Sequence, residues 1–122
     1  MKKFMIGAIA AAIPMFAFAD INGTYATEKN ENGDFAHVKM APCGDSVCGS
    51  IVWSSSANSS AIGMKIVWDM KSNGENSWNN GKIMDPVKKK TYNSKMTLNG
   101  GTLKVSGCIG PICRAQTWTK VK

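Results

Sequence analysis

A pattern of two cysteines and a tryptophan, Cys-x4-Cys-x4-Trp, occurs twice in this 122-residue chain. Cys43, Cys48 and Trp53 form the first copy; Cys108, Cys113 and Trp118 form the second, every position shifted by 65. The echo extends upstream. Thr24-Tyr25 precedes Asn32-Gly33 with six residues between them, and Thr91-Tyr92 precedes Asn99-Gly100 with the same six. Asn-Gly suits a hairpin turn because both residues tolerate positive φ. Each copy therefore reads as strand, hairpin, strand, cysteine-flanked turn, and a strand ending in tryptophan. Several matching blocks argue for a structural repeat, here two three-stranded meanders joined by residues 54–90.

Helical periodicity is absent after residue 19. Short β-rich runs separated by turn residues recur instead, which marks an all-β domain. Eight strands are predicted, at 21–28, 34–42, 47–54, 61–70, 81–84, 90–97, 102–107 and 113–121. Alternation places Ile62, Met64, Ile66 and Trp68 on one face of the fourth. It likewise groups Tyr92, Ser94, Met96 and Leu98, and then Leu103, Val105 and Gly107. Residues 54–60 read as a serine-rich surface connection. Residues 72–80 read as a mobile polar loop in which Trp78 is the exposed ring. Trp53 and Trp118 each lie five residues past a cysteine, on the opposite strand face from it, and both are predicted to point into the core.

The N-terminus has its own signature. Met1-Lys2-Lys3 is positively charged, Phe4 to Phe16 is apolar, and Ala17-Phe18-Ala19 supplies small residues at a cleavage site. This is the three-part pattern of a secretory signal peptide, shorter than a comfortable membrane span. The expected division is a signal peptide, 1–19, and one domain, 20–122, periplasmic or secreted, with no transmembrane segment in the mature chain.

Export bears on the cysteines. All four lie after residue 19, and an even count in an oxidising compartment implies disulfides. Cys43 and Cys48 flank Gly44-Asp45-Ser46-Val47; Cys108 and Cys113 flank Ile109-Gly110-Pro111-Ile112. Cysteines facing each other across a tight turn can meet disulfide geometry, so local pairing is favoured. The alternative joins the two tips to each other, and the spacing alone would also tolerate a zinc pair. Each short loop closed by a disulfide contributes about 2 kcal/mol.

Catalytic chemistry finds little support. His37 is the only histidine, and it sits inside a predicted strand. Asp69, Glu75 and Asp85 are the acids between the repeats, and they read as loop and strand-end residues rather than a catalytic pair. No nucleophile elbow or phosphate-cradling glycine loop is present. No enzyme activity, metal site or cofactor is expected. The chain after residue 19 carries 13 basic and 8 acidic residues, and Arg114 is its one arginine. Phosphate recognition leans on arginine forks, so a nucleic-acid partner is not expected. Lys88-Lys89-Lys90 reads as a solvated turn, with contact to anionic lipid or glycan as the functional alternative. Trp53, Trp68, Tyr92 and Trp118 are the candidate ligand-binding aromatics, with core packing as the default for the strand tryptophans.

The ordered set Gly23-x-Tyr25, Cys43-Gly44, Val47-Cys48-Gly49-x-Ile51-Val52, Gly81-Lys82-Ile83-x-Asp85-Pro86, Lys90-Thr91-Tyr92, Leu103-Lys104-Val105-x-Gly107-Cys108 and Cys113-Arg114-x-Gln116-Thr117-Trp118-Thr119 resembles the bacterial domain-of-unknown-function family 2147. The resemblance covers essentially the whole chain after residue 19. It implies an exported protein of lipocalin-like, calycin-type barrel topology, and no particular activity. Three positions depart from the family pattern: tryptophan is usual at Tyr25, glycine at Lys89 and arginine at Lys120. Calycin barrels often lay a late basic side chain over an early aromatic ring, a barrel-closing role that the resemblance gives to Tyr25 and Lys120.

The resulting expectation is a small, antiparallel, eight-stranded lipocalin-like barrel or half-open barrel with two local disulfides. A small barrel is either filled by its own side chains or holds one small ligand. The function expected of it is binding a small apolar or amphipathic ligand or an envelope component. A structural or interaction protein with a filled barrel and no ligand is the alternative.

Overall fold

Eight strands follow one another along the chain: β1 (Gly23–Ala26), β2 (Ala36–Cys43), β3 (Ser46–Ser54), β4 (Lys65–Ser72), β5 (Ser77–Asp85), β6 (Lys90–Asn99), β7 (Thr102–Ile109) and β8 (Ile112–Lys120). The structure is a computed structural model that describes residues 20–56 and 59–122. The expected signal peptide, 1–19, and part of the serine-rich connection lie outside the described residues. Each strand pairs antiparallel with the next, and β1 returns to β8, so the sheet closes into an up-and-down barrel. Closure removes the exposed edges that an open sheet would leave.

Alternation explains most of the core. On β6, Ser94, Met96 and Leu98 are buried while Lys95, Thr97 and Asn99 are exposed. Met96 stands opposite Val105 and Leu98 opposite Leu103, so paired side chains enter the interior together. Tyr25, Val38, Met40, Val67, Met70, Leu103, Val105 and Trp118 are all at most 1% exposed. These side chains fill the middle of the barrel. Two inward glycines make room for the methionines. A Cβ on Gly49 would come within 2.5 Å of the Met40 sulfur, and one on Gly81 within 2.5 Å of the Met70 sulfur.

One end of the barrel is plugged. Ile21 is buried there, and the Tyr25 hydroxyl donates to the Ile21 carbonyl at 2.9 Å. Burial, and secondarily the Asp20 carboxylate, push the Tyr25 phenol above its ordinary pKa. The turns β2–β3, β4–β5 and β6–β7 surround this plugged end. At the other end, the Asp85 carboxylate accepts from the backbone N–H groups of Val87 and Lys88, at 2.8 and 3.1 Å. Lys89, in the same turn, adopts a φ of 59°, in the left-handed region that favours glycine.

Both local disulfides are present, Cys43–Cys48 and Cys108–Cys113. Their hairpins differ in register. Cys108 stands directly opposite Cys113, whereas Cys43 pairs with Ser46 and Cys48 with Ala41. The corresponding Cα–Cα distances are 4.0 and 5.6 Å. The repeat is thus one of strand order rather than of equivalent places.

Three expectations are corrected. Trp78 is not in a mobile loop: β5 begins at Ser77, and the indole is 6% exposed, pointing inward opposite Met96. The loop is short because the polar residues that follow Trp78 belong to the strand. On β4, the face shared by Ile62, Met64, Ile66 and Trp68 breaks up. Ile62 precedes the strand and is exposed, and Trp68 pairs with Lys82 on the outer surface. Asp69 and the facing-strand Asn80 both take a φ of 59°, which interrupts alternation and turns Met70 inward. Trp53 points outward and is 42% exposed. Val38 pairs with Ile51 but His37 with Trp53, so Val52 is an extra, bulged residue that reverses the faces beyond it.

Candidate functional site

Side chains on the inner face become progressively less buried toward the end opposite the plug. On β8, Trp118 is 1% exposed, yet Ile112 through Thr117 are all exposed. Part of the reason is the seam between β8 and β1. Their ladder has two pairs, Tyr25 with Lys120 and Ala26 with Thr119. Beyond it the Glu28 carboxylate, rather than a β1 backbone group, accepts from the Thr117 N–H. The barrel therefore opens into a mouth on this side.

Cross-strand register identifies what lines the mouth. Val105 is inward, and it pairs with Gln116; two residues on, Gly107 pairs with Arg114. Arg114 and Gln116 thus belong to the inner face of β8, above Trp118. Gln116 is oriented by that tryptophan, whose indole N–H donates to the Gln116 side-chain carbonyl at 2.8 Å. The amide nitrogen remains as a donor. On the adjoining strands of the same wall, Val67, which is fully buried, pairs with Ile83, and Ile83 with Tyr92. Both close over Gly107. A Cβ at that glycine would sit 3.5 Å from the Ile83 Cγ2 and 3.6 Å from the Tyr92 Cβ. The result is an apolar strip of Ile83 and Tyr92 on the same inner face as two hydrogen-bond donors, one of them the chain's only guanidinium.

The aromatic residues singled out from the sequence are not brought together. Trp118 is core, and Tyr92 lines the mouth. Trp68 is half-buried on the outer surface. Trp53 belongs to an outer cluster, its ring centroid 4.6 Å from His37 and 5.3 Å from Phe35. His37 therefore stacks outside the barrel. Tyr25 and Lys120 are register partners at the plugged end, where the Lys120 stem runs against Gly23: a Cβ there would lie 2.7 Å from its Cε. Arg114, Gln116, Ile83 and Gly107 were not singled out for a site. The period-two spacing of Arg114, Gln116 and Trp118 on one strand is the signal that finds the first two; Ile83 and Gly107 join them only through the strand register.

Two surface clefts flank the packed interior. One, of about 460 Å³, is lined by Lys82, Lys90, Thr91, Asn93 and Ile109 among others, on the mouth side. The other, of about 420 Å³, lies at the plugged end over Trp78, with Asp20 and Glu75 at its border. Among the described residues, no three His, Cys, Asp or Glu side chains are placed to hold a metal ion, and no helix is long and apolar enough to cross a membrane.

The pattern of the family described as "Uncharacterized protein conserved in bacteria (DUF2147)" matches residues 23–120, from the start of β1 to the end of β8. The chain belongs to this family. Among curated proteins, none matches it. For this DUF2147 protein, a similar fold occurs in a solved structure, that of protein HP1028 from the human pathogen Helicobacter pylori, described as belonging to the lipocalin family. The two share a TM-score of 0.72 and 15% sequence identity, over 85% of this chain and 84% of that chain. The likeness establishes a lipocalin-like barrel for this DUF2147 member; its mouth has to be read from its own residues.

Proposed function

We propose that the protein binds a small amphipathic molecule carrying an anionic head, at the barrel mouth, and does so without catalysing a reaction on it. The observation that carries this reading is the Arg114–Gly107 pair. It sets the sole guanidinium on the inner face beside the apolar wall of Ile83 and Tyr92. A guanidinium offers a planar fork that matches a carboxylate or sulfonate, and the Gln116 amide adds a further donor. Because the middle of the barrel is filled, the apolar body of the ligand is short and rests in the mouth rather than descending into the barrel. Lipocalin-like topology is compatible with this use. The signal-type N-terminus and the two disulfides support a place outside the cytoplasm, periplasmic or secreted.

A second reading, an interaction protein of the envelope with no small ligand, is favoured by that same filled interior. Isothermal titration with a medium-chain fatty acid and the matching neutral alcohol separates the two. The acid is expected to bind, and Arg114→Gln to weaken it by about tenfold to a hundredfold, the worth of a charge-assisted hydrogen bond. Binding of the alcohol should not change in the variant. Absence of binding by the acid, or equal binding to both proteins, would overturn the ligand reading.

A further inference from the structure

Charge is divided unevenly along this barrel. From Asp20 to Gly81 the chain carries seven acidic and four basic side chains; from Lys82 to Lys122 it carries nine basic and one acidic. The single acid of the second part, Asp85, has its carboxylate engaged by two backbone N–H groups within its own turn. The segment from β5 to β8 therefore holds most of the cationic side chains, Arg114 on its inner face and the lysines exposed or half-buried, and the Glu28 carboxylate is the acid that reaches β8, at the Thr117 N–H.

Exposed aliphatic side chains concentrate on the same part. Val87, Ile109 and Ile112 are 80%, 69% and 73% exposed, the most exposed of the large hydrophobics among the described residues. Val87 lies in the β5–β6 turn, and Ile109 and Ile112 flank the β7–β8 turn at the ends of their strands; both turns rim the mouth. Turn tips are ordinarily polar. Ile109 and Ile112 form the last pair of the β7–β8 ladder, beside the Cys108–Cys113 disulfide, so both side chains are held in place at the tip. Between the two turns lies the cleft of about 460 Å³ lined by Lys82, Lys90, Thr91, Asn93 and Ile109, and bordered by Tyr92, which it shares with the mouth. Lys88 and Lys89 are exposed beside it.

We infer that the rim formed by these two turns docks onto an anionic lipid bilayer. Val87, Ile109 and Ile112 enter the boundary between headgroups and acyl chains, and Lys82, Lys88, Lys89 and Lys90 meet the lipid phosphates. Apolar tips separated by lysines match a lipid interface, where each tip finds hydrocarbon independently and each ammonium finds phosphate. The charge complementarity selects an anionic membrane, and the exposed tips distinguish docking from simple adsorption. The inference does not depend on the mouth holding a ligand, and Arg114 takes no part in it.

Co-sedimentation of the chain from Asp20 to Lys122, which contains all eight strands, tests it. Vesicles of phosphatidylcholine alone are compared with vesicles that also contain phosphatidylglycerol. Binding is expected only to the mixed vesicles and is expected to weaken as salt is raised. The triple variant Lys88→Gln, Lys89→Gln, Lys90→Gln should bind about a hundredfold more weakly, at roughly fivefold per charge. The double variant Ile109→Ser, Ile112→Ser should lose about tenfold or more. Lys71→Gln, in the acidic part, should change nothing, and circular dichroism checks that each variant is folded. Failure to bind the anionic vesicles would overturn the inference. So would binding that the isoleucine changes leave intact, together with equal retention on a soluble anionic polymer, because that is adsorption by charge alone.

Discussion

Arg114 stands directly opposite Gly107 across the β7–β8 ladder, so the one guanidinium of the chain meets a wall position that has no side chain. The space over Gly107 is taken by Ile83 and Tyr92 from the adjoining strands β5 and β6, at ordinary contact distances. Gly107 carries no left-handed φ, unlike Gly100 or Gly110 in the neighbouring turns. A side chain there is therefore sterically tolerated but intrudes on the mouth. Gly107→Ala should be neutral or stabilising by about 0.5 kcal/mol, whereas Gly107→Leu should fill the mouth and weaken binding of an anionic amphiphile by about tenfold or more. Gly81→Ala is the contrast. Its Cβ would press on the Met70 sulfur and on the Trp68 carbonyl, at 2.5 and 2.9 Å, so a loss of about 1–3 kcal/mol is expected. Urea melts alongside calorimetric titration compare the three; a Gly107→Leu protein that binds normally removes the mouth as the site.

The disulfides can be tested separately from the site. Each closes a short hairpin, and neither is part of the core cluster. Reducing either one, or replacing its cysteines by serine, should cost about 2 kcal/mol by the chain-entropy estimate. The barrel should persist, because the interior packing of Met40, Met70, Met96 and Trp118 is untouched. Peptide mapping without reductant should link Cys43 to Cys48 and Cys108 to Cys113. Collapse of far-ultraviolet dichroism on reduction would show that the staples carry more of the fold than their loop lengths allow.

The barrel was legible in the sequence wherever alternation ran unbroken. Tyr92, Ser94, Met96 and Leu98, then Leu103, Val105 and Gly107, are an inner face that can be read directly from period two. Reading failed where the backbone departs from it. The Val52 bulge and the left-handed residues Asp69 and Asn80 each reverse a face, and none announces itself with glycine or proline at the critical position. Trp78 was misread because its neighbours are asparagines and serines, which favour loops in isolation but line the outside of β5 once Trp78 is anchored opposite Met96. The mouth was the least legible part. Arg114 and Gln116 become a site only when β7 supplies Gly107 opposite, and β5 and β6 bring Ile83 and Tyr92 over it. The sequence separation between these elements hides that assembly.

Tyr25 should link stability to alkaline pH. Its phenol is buried, donates to the Ile21 carbonyl, and is held above the ordinary value of 10.0 by desolvation first and by the Asp20 carboxylate second. The folded protein thus keeps this proton more tightly than the unfolded chain does. The stabilisation is fully present below the unfolded pKa and is lost as pH rises from there through the folded one. Urea midpoints measured upward from pH 9, with phenolate absorbance followed at the same time, should show this decline. Tyr25→Phe should cost about 1 kcal/mol at neutral pH for the lost hydrogen bond, and it should flatten the alkaline slope. An unchanged slope would place the alkaline sensitivity elsewhere.

Trp53 and Trp118 give the sharpest test of the bulge. Both follow a cysteine by five residues, so an unbroken ladder would put both inside. With Val52 bulged, Trp118 is 1% exposed in the core and Trp53 is 42% exposed on the outer wall. Trp118 pairs with Leu103 and also orients Gln116 through its indole N–H. Its removal opens a cavity at the floor of the mouth, and Trp118→Ala should cost about 3–5 kcal/mol. Among the described aromatic rings, Trp53 packs against His37 and Phe35, on one solvent-facing side. Trp53→Ala should cost about 1 kcal/mol, the worth of an exposed aromatic pair. The rings also report their places optically: Trp53 should be open to acrylamide quenching and Trp118 protected. Removing Val52 should restore alternation beyond Ile51 and turn Trp53 toward an interior already filled by Val38 and Met40. The deletion should therefore destabilise by more than Trp53→Ala itself, because an indole has no room there. Equal losses for the two tryptophan variants, or a Val52 deletion without effect, would mean that the wall at this point is not bulged and that Trp53 has an inward position after all.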